Sequence, residues 1–76
     1  MVIEVSYQSK KDARDLHSQF MSTRYFDCDQ IPNRDAVVRK LRTMGVDFDG
    51  NTISINPRED DDADTMRDGG IPVLPF

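Results

Sequence analysis

"DFDGNTISI", residues 47–55, is the stretch on which the fold turns. Read as the start of a calcium loop, it puts Asp47, Asp49 and Asn51 at the first, third and fifth ligand positions. The sixth position, which needs glycine for a sharp turn, is then Thr52, and the twelfth, which needs a bidentate Glu, is Arg58. Read instead as two strands joined at Gly50-Asn51, the stretch sets Phe48 opposite Ile53 and Val46 opposite Ile55, so four apolar side chains share one face. Moving the loop back by one residue sets Phe48 opposite Asn51 and loses the match. The stretch therefore predicts a β-hairpin over 46–55, with a turn that calls for positive φ at Gly50.

Upstream, "IPNRDAVVRKLRTMGV" carries the strongest helix signals in the chain. Asn33 is placed to cap the first-turn amides, and Val37, Val38, Leu41 and Met44 make an apolar stripe. Gly45 followed by Val46 gives the glycine and the apolar contact of a Schellman stop, so a helix is expected over 34–44. Its outer face carries Arg34, Arg39, Lys40 and Arg42. At the start of the chain, Ile3, Val5 and Tyr7 alternate with Glu4 and Ser6 as in a half-buried strand. Ser9 and Asp12 resemble a capping box that opens a helix over 10–21, with Ala13, Leu16, Phe20 and Met21 on one face and His17 packed at its edge. "TRYFDCD" reads as a short strand, with Cys28 as a small core residue.

Beyond the hairpin, Asn56 as cap, Pro57 at the first helical position and Glu59 at the third start a short acidic helix that Gly69-Gly70 closes. Its body is weak, because Asp is a poor helix former and only Ala63 and Met66 are apolar. Pro72 and Pro75 keep the tail "IPVLPF" out of a central strand and leave it extended along the core or a sheet edge. The expected fold class is α+β: a small antiparallel sheet with two main helices on one face and a short acidic C-terminal helix. Residues 1–56 form the compact core, and 57–76 the acidic helical segment and apolar tail of the same domain. Seventy-six residues leave no room for a second one.

The net charge of −4 hides an asymmetry. Residues 1–45 hold eight Lys/Arg against six Asp/Glu, whereas residues 46–76 hold two against eight. This balance argues against direct nucleic-acid contact, which rests on clustered Lys and Arg. No apolar run approaches a membrane span, the opening "MVIEVSYQ" lacks the pattern of a signal peptide, and Cys28 has no cysteine to pair with. A cytoplasmic location is the resulting expectation.

No catalytic signature stands out, and a non-enzymatic protein without cofactor or metal is expected. His17 and Cys28 lack an orienting third group. The pairs Asp27/Asp29 and Asp47/Asp49 are the residues to consider for a cation, but acids of this kind commonly flank turns. The most pronounced feature is the run Glu59, Asp60, Asp61, Asp62, Asp64 and Asp68. On a helix, Asp60, Asp64 and Asp68 stack at about 5 to 6 Å intervals and can stand in for phosphates. The leading expectation is a viral-type inhibitor that docks this acidic face on the basic surface of a nucleic-acid-binding protein. The alternative is a winged-helix-like DNA-binding transcription or antitoxin factor using the basic helix 33–44 and the hairpin 46–55.

Overall fold

The structure is a computed structural model and describes residues 1–58 and 68–74. Among these the fold is α+β, built on a three-stranded antiparallel sheet. Strand β1 (Val2–Tyr7) is central, flanked by β2 (Ser22–Asp27) and β3 (Ser54–Arg58). Because β2 and β3 both run antiparallel to β1, they are parallel to each other, and the connection between them spans β1. That connection carries α2 (Arg34–Thr43).

The alternation of β1 divides the sheet into two faces. On one, Ile3 lies opposite Phe26 and Val5 opposite Ile55. Ile3, Val5, Tyr7 and Phe26 join Val37 and Leu41 of α2, together with Cys28, Phe48 and Leu74, in one buried cluster. On the other face Val2 is fully buried and the remaining partners are polar: Arg58 donates to the Glu4 carboxylate at 3.3 Å, its guanidinium lies 5.9 Å from the Tyr25 ring centre, and the Ser6 and Thr23 hydroxyls meet at 3.5 Å.

Helix α2 follows its sequence signals closely. The Asn33 side chain accepts from the Ala36 amide at 2.9 Å. At the other end, Gly45 takes φ +72°, its N–H donates to the Arg42 carbonyl, and the Val46 N–H reaches back to Leu41 at 3.1 Å. These are the two bonds of a Schellman stop.

The helix expected over 10–21 is only five residues long, α1 (Lys10–Arg14), and buries none of them. Ser9 does cap it, but Asp12 accepts from the Ser9 hydroxyl at 2.9 Å rather than from the Ser9 amide. Local hydrogen bonds end it: the Asp15 carboxylate takes the His17 amide at 3.0 Å, and the Asp15 carbonyl takes the Ser18 amide at 3.1 Å. An Asp that bonds its own backbone two residues on competes with helix continuation. The expected apolar face is consequently not buried: Leu16 is 95% exposed, Phe20 67%, and His17 is also exposed.

The hairpin over 46–55 does not form, although its four apolar residues do face the core. Phe48 is buried, and Val46, Ile53 and Ile55 pack against the cluster. The pairing partner differs, because β1 has two edges to satisfy and takes Ile55 as its own neighbour. The turn differs too. The Asp49 carboxylate accepts from the Asn51 amide at 2.8 Å and starts a 3-10 turn over Gly50–Thr52, so Gly50 needs no positive φ. This turn is fixed to the end of β1, where the Asp49 amide donates to Gln8 O at 2.8 Å and the Thr52 hydroxyl accepts from the Gln8 amide at 2.9 Å.

Asn56 and Pro57 belong to β3 and do not cap a helix. Residues 59–67 of the expected acidic helix lie outside the described residues. The Cys28 amide donates to Met1 O, so the odd residues of β1 bond toward β2 and the even ones toward β3. Pro57, opposite Ile3, then faces outward, and its missing N–H costs the ladder nothing. The tail takes a sheet edge, as expected. Asp27 N–H donates to Pro72 O at 2.8 Å, Leu74 N–H donates to Asp27 O at 2.9 Å, and Leu74 enters the core.

Candidate functional site: a cationic groove

Of the expected basic residues, the fold selects two. Arg34, Val38 and Arg42 are four residues apart, so they lie along one side of α2. This side borders a groove of about 530 Å³ whose opposite wall is α1, with Lys10 and Arg14, and whose end is the 3-10 turn. Val38, Val46 and Phe48 supply apolar lining. Arg39 and Lys40 of the expected set lie outside it.

Four cations thus surround one groove: Lys10, Arg14, Arg34 and Arg42. The ion pairs among the described residues are made elsewhere, by Arg58 with Glu4 and by the Met1 amino group with Asp27. Asp35 and Asp49 also line the groove, but the Asp49 carboxylate is engaged in capping the 3-10 turn. The result is a local positive excess, 4 against 2, in a chain that is negative overall. Arginine predominates here, and its planar fork suits bidentate carboxylate or phosphate recognition.

Lys10 and Arg14 had no place in the sequence reading of the site. Their i, i+4 spacing at the start of the chain was available, but the approach of α1 to α2 is a tertiary fact. The Asp pairs are not brought together as a cation site: among the described residues no group of three or more His, Cys, Asp or Glu is placed to hold a metal ion. Asp49 serves as a cap, and Asp47 and Asp29 are exposed. Cys28 is buried at the end of β2, while His17 stands on the surface. Of the acidic recognition run, Asp68 is exposed, and Glu59, Asp60, Asp61, Asp62 and Asp64 lie outside the described residues. The wing expected for the DNA-binding alternative is absent with the hairpin. No helix of the described residues is long and apolar enough to cross a membrane. Comparison with protein-family models, curated proteins and solved structures gives no match.

Proposed function

We propose that the chain is a small non-enzymatic interaction domain that grips an acidic, extended segment of a protein partner in the groove between α1 and α2. The observation that carries this reading is the set of four cations, none of them ion-paired among the described residues, around a groove that Val38, Val46 and Phe48 line in part. Arg34 and Arg42 are eight residues apart on α2, about 12 Å at the helical rise. Carboxylates four residues apart in an extended peptide span about 13 Å and meet that separation. Val38 lies between the two arginines, where an apolar side chain of the same peptide would rest. A long polyphosphate chain fits less well, because residues 46–76 hold eight acids against two bases and would repel it.

A second reading reverses the sign of the interface. Residues 59–68 hold six acids, and that density supports docking to a basic protein surface, with the acids competing for the contacts that nucleic-acid phosphates would make.

Fluorescence polarisation with three labelled probes separates the readings: an acidic Glu/Leu peptide, a basic Lys/Leu peptide and a single-stranded oligonucleotide. The groove reading expects salt-sensitive binding of the acidic peptide that Arg34→Glu with Arg42→Glu abolishes. The acidic-run reading expects the basic peptide to bind and Asp60→Asn, Asp61→Asn, Asp62→Asn and Asp64→Asn together to weaken it. Indifference of the wild type to the acidic peptide at low salt overturns the groove reading. Preferential binding of the oligonucleotide would replace it with a nucleic-acid function.

A further inference from the structure

We infer that the loop joining β1 to β2, residues 8–21, is a membrane-surface contact. Leu16 and Phe20 enter the acyl boundary of an anionic bilayer, while Lys10, Lys11 and Arg14 lie against its headgroups. Tyr7 and Ser22 are paired across β1 and β2, so the loop leaves and returns at neighbouring points and projects from one end of the sheet. Inside it, the Ser18 carbonyl accepts from Gln8 Nε2 at 3.3 Å, and the Ser18 hydroxyl donates to the Asp12 carboxylate at 3.3 Å. These bonds tie the returning limb to the end of β1 and to α1, and Leu16 stands in the turn between α1 and Ser18.

The second observation is what the loop exposes. Six large apolar side chains among the described residues are exposed, and three of them, Leu16, Phe20 and Met21, stand in this one loop. Single apolar residues are ordinary on a protein surface, but a group of three within six residues marks a contact.

Charge selects the occupant. Lys10, Lys11 and Arg14 are exposed and make no ion pair among the described residues, and Arg34 and Arg42 stand across the groove from Lys10 and Arg14. The two acids of the loop are turned to local donors instead: Asp12 takes the Ser9 and Ser18 hydroxyls, and Asp15 takes the His17 amide. An apolar tip with cations beside it matches an anionic lipid surface. There, acyl chains cover Leu and Phe, and the long stems of Lys and Arg carry their charges to the headgroups. An apolar groove on a protein would cover the same side chains without calling for the cations. At about 150 mM salt, charges more than about 8 Å away are largely screened, so the local excess decides the contact rather than the net charge of −4.

Co-sedimentation with vesicles at about 150 mM salt tests this surface. Vesicles of phosphatidylcholine and phosphatidylserine in equal parts should carry the protein down. Phosphatidylcholine alone should hold at least about tenfold less of it, since each cation held at an anionic surface is worth about fivefold. Leu16→Ser with Phe20→Ser, both exposed and outside the core, should lower binding to the mixed vesicles by at least about tenfold, because each buried apolar side chain of this size is worth that much. Lys10→Glu with Lys11→Glu should remove the preference for phosphatidylserine. The chain has no tryptophan, so Leu16→Trp supplies a single reporter whose emission shifts to the blue on entering the bilayer. Circular dichroism checks that each variant is folded. A wild type that stays in solution with the mixed vesicles overturns the inference, and so does equal binding to the two compositions. Undiminished binding of the folded Leu16→Ser, Phe20→Ser variant does the same, as does a Leu16→Trp emission that the mixed vesicles leave unchanged.

Discussion

The rings of Tyr7 and Phe48 meet edge to face, with centroids 6.3 Å apart and planes at 73°. This contact joins the end of the central strand to the segment that leaves α2, and it accounts for the burial of Phe48 without a hairpin. Phe48→Ala should lower stability by about 3 to 5 kcal/mol through a core cavity and the lost aromatic pair. Urea unfolding followed by circular dichroism gives the value. A loss below about 1 kcal/mol would mean that Phe48 is not a core residue.

The hydroxyl of Tyr7 accepts from Arg24 Nε at 2.8 Å. Tyr7→Phe keeps the ring on Phe48 and removes only this bond, so a loss of about 1 kcal/mol is expected, well below that of Phe48→Ala. Equal losses in the two variants would contradict the division between ring packing and hydrogen bonding.

Glycines 45 and 50 should respond differently. Gly45 holds φ +72° at the end of α2, and Gly45→Ala is expected to cost about 1 to 2 kcal/mol. Gly50 has ordinary φ and open space where a Cβ would stand, so Gly50→Ala should change stability by less than about 0.5 kcal/mol. The reverse order would indicate that 46–55 pairs as a hairpin after all. Calcium should leave the melting temperature unchanged, since the carboxylate of Asp49 is already engaged by the Asn51 amide.

Leu74 is only 2% exposed, although it lies in a proline-flanked tail. Leu74→Ala should cost about 2 to 5 kcal/mol, comparable to Leu41→Ala in the middle of α2. Thermal unfolding of the two variants side by side provides the comparison. A near-neutral Leu74→Ala would show the tail to be dispensable to the core.

Local chemistry was sufficient for several parts of this fold. Asn33, the Val37/Leu41 stripe and the Gly45-Val46 stop define α2 within a single segment, because caps and periodicity depend on neighbours at most five residues away. The alternation of Ile3, Val5 and Tyr7 likewise specified β1 and its buried face. The apolar character of Val46, Phe48, Ile53 and Ile55 was legible, but their pairing was not. Strand partnership is a competition across the whole chain, and central β1, with an unmet edge, won Ile55 from Val46. In α1 the error was local: the turn-forming side chain of Asp15 outweighed an apolar period that had nothing to pack against. The groove shows the same limit at the site. Arg34 and Arg42 were visible as a helical face, but tertiary structure alone chose them over Arg39 and Lys40 and brought Lys10 and Arg14 across from α1, because the packing of α2 fixes which of its sides the groove can use.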